Sequence, residues 1–360
     1  MTDRSKHSAL HEKEGVTPPK TVSTVVANVI KNKRKQTLNP EVLLQRILEG
    51  NVTALSQAIT LVESTATKHQ EQAQWLIQQC LPFANRSIRV GITGVPGVGK
   101  STFIESLGVH LCDKGKKVAV LAVDPSSSLS KGSILGDKTR MEELVKHSDA
   151  YIRPSAAGDS LGGVARKTRE SIWLCEAAGF DTILVETVGV GQSETAVHSM
   201  VDYFLLLKIS GAGDELQGIK RGIMEMADAI VINKADGDNI KKANLAKVEF
   251  NRALHLFPPK ASGWQPKVST CSALQHEGID QIWNTIASFI AFTEKSGYFA
   301  KHRADQNQFW MMETINEQLK NHFYNHPEII DLLNKKKKAV QNDALSPFAA
   351  AMELLSTYFK

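Results

Sequence analysis

The sequence predicts an α/β protein built on a doubly wound, mainly parallel β-sheet. Three observations favour this class. Runs of consecutive apolar residues, such as residues 118–123, recur along the chain and are typical of parallel strands buried on both faces. Most of these runs lead into a polar or glycine-rich loop and then into a helical pattern. One of the loops, residues 94–101, has the glycine spacing of a phosphate-binding turn between a strand and a helix.

The phosphate loop is the strongest local signal, because residues 94–101 fit the pattern G-x-x-x-x-G-K-[ST]. Glycines let backbone amides surround a polyphosphate, and the start of the next helix adds positive partial charge. We expect Lys100 to reach the terminal phosphates and the Ser101 hydroxyl to bind Mg²⁺. A glycine-rich turn without a ligand leaves the Lys-Ser pair unexplained. The predicted loop residues are Gly94, Val95, Pro96, Gly97, Val98, Gly99, Lys100, Ser101 and Thr102.

A second motif, residues 233–236, reads N-K-A-D and follows the apolar run 229–232. The Asp236 carboxylate can accept both hydrogens of guanine's N1–H and exocyclic amine edge, which adenine does not offer. Lys234 can lay its aliphatic stem along the base, and Asn233 can tie this loop to the phosphate loop. Alone, the motif could be an exposed turn, but after a phosphate loop it favours GTP over ATP. Backbone amides of Ser272, Ala273 and Leu274 would close over the base.

Acidic residues follow two of the predicted strands. Asp124 comes after residues 118–123, and Glu186 comes after residues 182–185. Ligands of open α/β sheets lie at the carboxyl ends of strands, and Mg²⁺ prefers hard oxygen ligands. We therefore predict Ser101, Asp124 and Glu186 as direct or water-mediated magnesium ligands, with Asp137 completing the shell when its glycine-flanked loop closes. Helix capping or a turn is the alternative role for each acid.

Gly189 lies in a glycine-rich loop after the second acidic strand end, where its amide could sense the γ-phosphate. The next residue is Val190, which cannot orient an attacking water as glutamine does in Ras-like GTPases. We therefore expect slow intrinsic hydrolysis that a partner accelerates, with Gln192 a weaker candidate for positioning the water. A further loop, residues 210–220, combines glycines with charges that offer switchable contacts.

Taken together, these motifs resemble the MeaB/ArgK family of P-loop GTPases, whose human member is defective in the cblA type of methylmalonic aciduria. The resemblance covers residues 40–325, and the string from Glu186 to Glu194 is close to diagnostic. The matching segments are residues 94–102, 124–127, 132–141, 186–194, 214–222 and 233–236.

The resemblance implies a homodimeric GTPase that associates with an adenosylcobalamin-dependent acyl-CoA mutase, usually methylmalonyl-CoA mutase. It also implies that the protein gates cofactor delivery by a cobalamin adenosyltransferase and protects or reactivates the mutase. Residues 132–140 and 186–194 correspond to the first two switches. The implied catalytic residues are Lys100, Asp137, Glu186 and Gly189. The implied acidic ligands of magnesium are Asp124, Asp137 and Glu186. The implied third switch includes Asp214, Glu215, Gln217 and Lys220.

Composition narrows the alternatives. The net charge of +5 over 360 residues is mild and forms no basic stripe interleaved with aromatics, so nucleic-acid binding is not indicated. No apolar run is long enough to cross a membrane, and the N-terminus has no apolar signal core, so we expect a cytoplasmic protein. The isolated cysteines, which fit buried thiols and disfavour a nickel or zinc relay, are Cys80, Cys112, Cys175 and Cys271.

The chain divides by pattern into four parts. Residues 1–36 are polar and predict a flexible extension, and residues 37–85 have the apolar spacing of a small helical bundle. Residues 86–293 hold the GTPase domain, and residues 294–360 form a helical arm that we expect to mediate dimerisation. The predicted apolar face of this arm consists of Phe309, Trp310, Met311, Ile315 and Leu319.

Two other functions remain open from the sequence. One is a GTP- or ATP-dependent kinase that phosphorylates a protein acceptor linked to amino-acid transport, although no acceptor base beyond Glu186 is evident. The other is a GTP-binding scaffold that barely hydrolyses its ligand. The sequence also leaves open whether the client mutase is of the methylmalonyl, isobutyryl or ethylmalonyl type.

Overall fold

The computed structural model describes residues 39–64, 66–123, 141–154, 161–187, 193–211 and 221–359. Its centre is a seven-stranded sheet in which all neighbouring strands are parallel, in the order β3-β2-β4-β1-β5-β6-β7. The strands are β1 Ile88–Gly94, β2 Val118–Val123, β3 Ala150–Arg153, β4 Thr182–Thr187, β5 Tyr203–Ile209, β6 Ala229–Asn233 and β7 Lys267–Thr270. The predicted fold class is confirmed, with β3 as an edge strand that the sequence did not reveal.

The helices alternate with the strands and extend the chain at both ends. They are α1 Pro40–Leu48, α2 Val52–Glu63, α3 Thr67–Cys80, α4 Lys100–Asp113, α5 Leu161–Ala177, α6 Ser193–His198, α7 Arg221–Met226, α8 Ile240–Leu254, α9 Ile279–Lys295, α10 Tyr298–Tyr324, α11 Pro327–Gln341 and α12 Pro347–Tyr358. The side chains of Asn39 and Asn51 cap α1 and α2 by accepting hydrogen bonds from backbone amides of their first turns.

Apolar side chains cover both faces of the sheet, because successive residues of a strand point to opposite sides. In β2, Val118 and Val120 join the cluster under α4 and α9, whereas Ala119 and Leu121 join the cluster under α5. Helices α1 to α3 contribute to this second cluster, so the N-terminal helices share a continuous core with α5 and the sheet. The loops at the carboxyl edge therefore leave a sheet that is packed on both faces.

The buried residues of helix α10 lie in its first half, and its second half contacts Arg166 through Glu317 and Tyr358 through His322. Arg303, Gln306 and Trp310 are buried, and the indole Nε1 of Trp310 donates to the Ser199 carbonyl at 3.0 Å. The other members of the predicted apolar face, Phe309, Met311, Ile315 and Leu319, are exposed. Trp310 therefore packs into the core of its own chain, and burial of the rest of this apolar face on a partner subunit stays a prediction.

The four cysteines are buried free thiols, as predicted. Within the ranges that the structure describes, none of the helices has the length and apolar character required to cross a membrane.

Candidate nucleotide-binding site

The phosphate loop joins β1 to α4 at the carboxyl edge of the sheet. β1 ends at Gly94, and α4 begins at Lys100 after Gly99, whose φ of 91° lies in the left-handed region. A Cβ atom on Gly94 would lie 2.6 Å from the Leu207 carbonyl oxygen, and one on Gly99 would lie 2.7 Å from the Asn233 Nδ2. The loop is therefore packed so closely against β5 and β6 that only glycine fits at these two positions.

Lys100 lies inside this loop with only 8% of its surface exposed. Its Nζ donates to the carbonyl oxygens of Gly94 at 2.9 Å and Val95 at 3.4 Å. Burial lowers the pKa of the amine, and the nearby carboxylates of Glu186 and Glu194 partly offset this by favouring the charged form. The loop thus holds a concentrated positive charge where phosphate oxygens are predicted to lie.

Ser101 and Glu186 bring hard oxygen atoms together beside the phosphate loop. The Ser101 Oγ donates to the Glu186 Oε1 at 3.3 Å. This proximity follows from the sheet, because β1 and β4 are neighbours with Ile92 in register with Glu186. A hydroxyl and a carboxylate in contact are the kind of ligands that Mg²⁺ takes from proteins, so these two residues fit the ion.

Several predicted residues lie outside the described ranges. Asp124 directly follows β2, whose last residue Val123 is in register with Thr187 of β4, but Asp124 itself is not described. The others outside the described residues are Asp137, Gly189, Asp214, Glu215, Gln217 and Lys220.

Asn233 connects the base loop with the phosphate loop. Its Nδ2 donates to the Val98 carbonyl at 2.9 Å, and its Oδ1 accepts from the Ala273 amide at 3.1 Å. The thiol of Cys271 also donates to this Oδ1 at 3.4 Å. One buried amide thus links three segments that are far apart in the sequence, and each of its hydrogen bonds is shielded from water.

The Asp236 carboxylate is held in position by Ser272, whose hydroxyl donates to Asp236 Oδ2 and accepts from the Gln275 amide at 3.2 Å. The Lys234 amine donates to the Gly97 carbonyl at 2.9 Å, which lays this side chain alongside the phosphate loop. Ala273 is buried, whereas Leu274 is 71% exposed. The structure therefore brings Asp236 together with Ser272, and joins Asn233 and Lys234 to the phosphate loop by hydrogen bonds.

Two supporting contacts were not apparent from the sequence. The imidazole Nδ1 of His276 lies 2.9 Å from the Ser106 Oγ, which braces the loop after β7 against α4. Glu194 is 3% exposed at the start of α6, close enough to act electrostatically on Lys100. His276 belongs to no recognisable motif, and Glu194 ends the string 186–194, which by itself indicates no role for this residue. Both depend on partners that are distant in the chain.

A phosphate loop, an N-K-x-D loop and an acidic strand end, all on one edge of a parallel sheet, together define a P-loop GTPase. The sequence profile described as "Methylmalonyl Co-A mutase-associated GTPase MeaB" matches residues 55–328. The chain belongs to this family, as the resemblance predicted.

Known relatives agree with this assignment. "GTPase ArgK" of Escherichia coli is 46% identical over 311 residues, 86% of this chain and 94% of that protein. "Putative GTPase" of Caulobacter vibrioides is 48% identical over 321 residues, which cover 89% of this chain and 98% of that protein. "Methylmalonic aciduria type A homolog, mitochondrial" of Mus musculus is 48% identical over 322 residues, which cover 87% of this chain and 78% of that protein. A crystal structure titled "LAO/AO transport system kinase" has a TM-score of 0.73 and 38% identity, covering 90% of this chain and all of that one.

Proposed function

We propose that this protein is a GTP-hydrolysing chaperone of an adenosylcobalamin-dependent acyl-CoA mutase, with methylmalonyl-CoA mutase as the client. Its nucleotide state gates delivery of adenosylcobalamin by a cobalamin adenosyltransferase and controls protection or reactivation of the mutase. The description of the family, which names a mutase-associated GTPase, supports the client. The name of the mouse relative refers to methylmalonic aciduria, which supports the same client enzyme.

The observation that carries the GTPase function is the contact between Ser101 and Glu186, because it joins the phosphate loop to the acidic end of β4. In the proposed site, Asp236 reads the guanine edge and Lys100 binds the terminal phosphates. Ser101 and Glu186 would hold Mg²⁺ together with Asp124 and the incoming Asp137. When bound, Mg²⁺ supplies neutralisation of the charge that develops on the phosphate oxygens.

Hydrolysis in this site is proposed to be slow without a partner. Val190 follows Gly189 and offers no side chain that could orient the attacking water. Asp137 and Glu186 are the proposed catalytic acids, and the Gly189 amide reports the presence of the γ-phosphate. The residues that pass this state to the mutase are Asp214, Glu215, Gln217 and Lys220.

Coupling to the client requires that the mutase bind one nucleotide state more tightly than the other, because equal affinity for both would shift nothing. The first measurement is the rate of phosphate release from GTP by the purified protein, with and without methylmalonyl-CoA mutase. The second is the affinity of the protein for the mutase, once with GDP bound and once with a non-hydrolysable GTP analogue bound. We expect faster release with the mutase and unequal affinities, both absent in Lys100→Ala. Equal affinities and an unchanged rate would contradict the chaperone function.

A kinase is the second candidate, because the name of the structural relative refers to a transport system kinase. The two functions differ in where the γ-phosphoryl group goes. With GTP labelled in that group, the GTPase function predicts that the label appears as free phosphate. Label retained on a protein or small-molecule acceptor, without free phosphate, would instead support the kinase.

We further propose that residues 294–360 dimerise the protein, with residues 37–85 as a helical unit before the GTPase domain of residues 86–293. The support is a set of exposed apolar side chains on α10 to α12, of which Phe348 is 85% exposed. Phe348→Glu should convert a dimer to a monomer in light scattering. Leu256→Glu, at a residue 82% exposed outside the arm, should leave the dimer intact. A wild-type protein that is monomeric at micromolar concentration would refute this proposal.

A further inference from the structure

A group of charged side chains is buried under the amino ends of β1 and β5, where α5 and α10 meet the sheet. We call it the charged cluster. Its members are Arg89, Arg169, Glu176, Asp202 and Arg303, and each is between 0% and 7% exposed. Burying charged groups is costly unless each is paired, so the partners of every member matter.

Two of the arginines each form an ion pair with one of the two acids. Arg89 donates from Nε to Glu176 Oε1 at 2.9 Å and from Nη2 to Oε2 at 3.0 Å. Arg303 donates from Nε to Asp202 Oδ1 at 2.7 Å and from Nη2 to Oδ2 at 2.6 Å. These are bidentate pairs, the strongest geometry available to arginine and carboxylate. Both oxygens of each acid accept from these two arginines, and neither acid forms an ion pair with Arg169.

Arg169 lacks a charged partner among the described residues. Its Nη2 donates to the neutral Asn307 side chain at 2.6 Å, and its guanidinium carbon lies 5.5 Å from the centre of the Trp173 ring. Its Nε and Nη1 are buried without a hydrogen-bond acceptor, and so is the Nη1 of Arg89. The charged cluster thus has three positive and two negative charges, with unsatisfied donors on the guanidinium that carries the excess.

Burial lowers the pKa of Arg169 to about 9, and the nearby charge of Arg89 lowers it further. Glu176 and Asp202 oppose this shift, and Arg303 adds a smaller lowering effect. A guanidinium nevertheless keeps its proton in proteins. Ordered water could accept hydrogen bonds from the free N–H groups of Arg169, but it could not neutralise the excess positive charge. The arrangement therefore calls for a negative ion.

We propose that a small monovalent anion of the size of chloride binds between α5 and α10, accepting hydrogen bonds from the Nε and Nη1 of Arg169. A small ion suits the place because Arg169 is 2% exposed and confined by Asn307 and Trp173. The anion would stabilise the junction between α10 and the sheet and leave the nucleotide site untouched. The helices that continue from α10 would then be anchored through this ion.

The first test measures thermal unfolding of the full chain as chloride replaces gluconate at constant ionic strength. A ligand that binds the folded state alone raises stability with the logarithm of its concentration above its dissociation constant. We expect the Tm to be constant at low chloride and then to rise by roughly 2–4 °C for each tenfold increase. Arg169→Met should abolish this rise, and Arg252→Met, at an exposed arginine of α8, should preserve it. A flat wild-type series, or a rise retained in Arg169→Met, would overturn the proposal.

The second test does not depend on the folding of a variant. Crystals of the wild-type chain grown or soaked in bromide should give an anomalous peak within hydrogen-bonding distance of Arg169 Nε. A water molecule at that position, with no anomalous signal, would overturn the proposal whatever the unfolding series shows.

Discussion

The side chain of Asn233 donates a hydrogen bond from its Nδ2 to the carbonyl of Val98 at 2.9 Å. The residue that opens the base loop therefore also fixes the phosphate loop. Because the same side chain accepts from the Ala273 amide, base recognition and phosphate binding share one support. Weakening that support should affect the whole nucleotide, whereas weakening a base contact should affect only the choice of base.

Asn233→Ala tests the shared support. The change leaves the Val98 carbonyl and the Ala273 amide without their partner, and an unsatisfied buried polar group costs about 1–3 kcal/mol. We expect the affinities for GTP and GDP to fall together by about tenfold or more in titrations with fluorescent nucleotides. Asn284→Ala, on the exposed side of α9, is the matched control. Unchanged affinity in Asn233→Ala would show that the bond is dispensable.

Asp236→Asn tests base selection. An amide keeps one acceptor but loses the charge and the second acceptor, and hydrogen bonds to charged groups contribute about 1.5–3 kcal/mol. The preference for GTP over ATP should therefore fall by about 10–100-fold in competition titrations. Asp238→Asn, at an exposed residue two positions further along, should keep the wild-type preference. If Asp236→Asn keeps the preference for GTP over ATP, the Asp236 carboxylate does not recognise the guanine base.

The pH dependence of nucleotide binding tests the environment of Lys100. Burial holds the pKa of its amine below 10.5 in the free protein, while Glu186 and Glu194 raise it. Phosphate binding requires the charged amine, so affinity should be constant below the lowered pKa and should fall as the pH rises through it. Glu194→Gln removes one of the charges that raise this pKa, so the fall should begin at a lower pH.

The control for this experiment is Glu249→Gln on the exposed side of α8, which should reproduce the wild-type profile. Titrations from neutral to alkaline pH would reveal the difference as a shift of the curve along the pH axis. If Glu194→Gln and wild type lose affinity over the same pH range, Glu194 does not act on the phosphate-binding amine.

Gly94→Ala tests the packing of the phosphate loop against β5. The added Cβ would lie 2.6 Å from the backbone oxygen of Leu207, so β1 and β5 would have to separate. Gly97 also has a positive φ, but a Cβ there meets nothing within 4 Å. We expect urea denaturation to show that Gly94→Ala lowers the free energy of unfolding by about 1–3 kcal/mol more than Gly97→Ala. Equal losses would mean that the loop yields without strain.

The sequence predicted the features that depend on local pattern. Apolar runs revealed five of the seven described strands, and β7 was predicted as the strand that leads into the base-closing residues 272–274. The loops between the strands revealed where the carboxyl edge of the sheet lies. The remaining strand, β3, is four residues long and only partly apolar, so no periodic signal distinguishes it from a loop. Its strand conformation comes from pairing with β2, which is a tertiary effect.

Long-range partners explain what the sequence could not show. Arg89 lies in a strand predicted from its apolar neighbours, yet it is fully buried because Glu176 forms its ion pair from 87 residues away. Trp310 belongs to a predicted apolar face that could pack on its own domain or on a second subunit, and its place in the core of its own chain became apparent only from the structure. The role of Asn233 could be anticipated because its motif carries a mechanism. His276 belongs to no motif, and the string that ends at Glu194 indicates no role for that residue.

The most direct measurement is calorimetric titration of nucleotide-stripped protein with a non-hydrolysable GTP analogue in magnesium, compared with the corresponding ATP analogue. We predict one-site binding of the guanine compound and at least tenfold weaker binding of the adenine compound. Absence of heat with the guanine analogue, or equal binding of both, would contradict the assignment of this loop cluster as a GTP site.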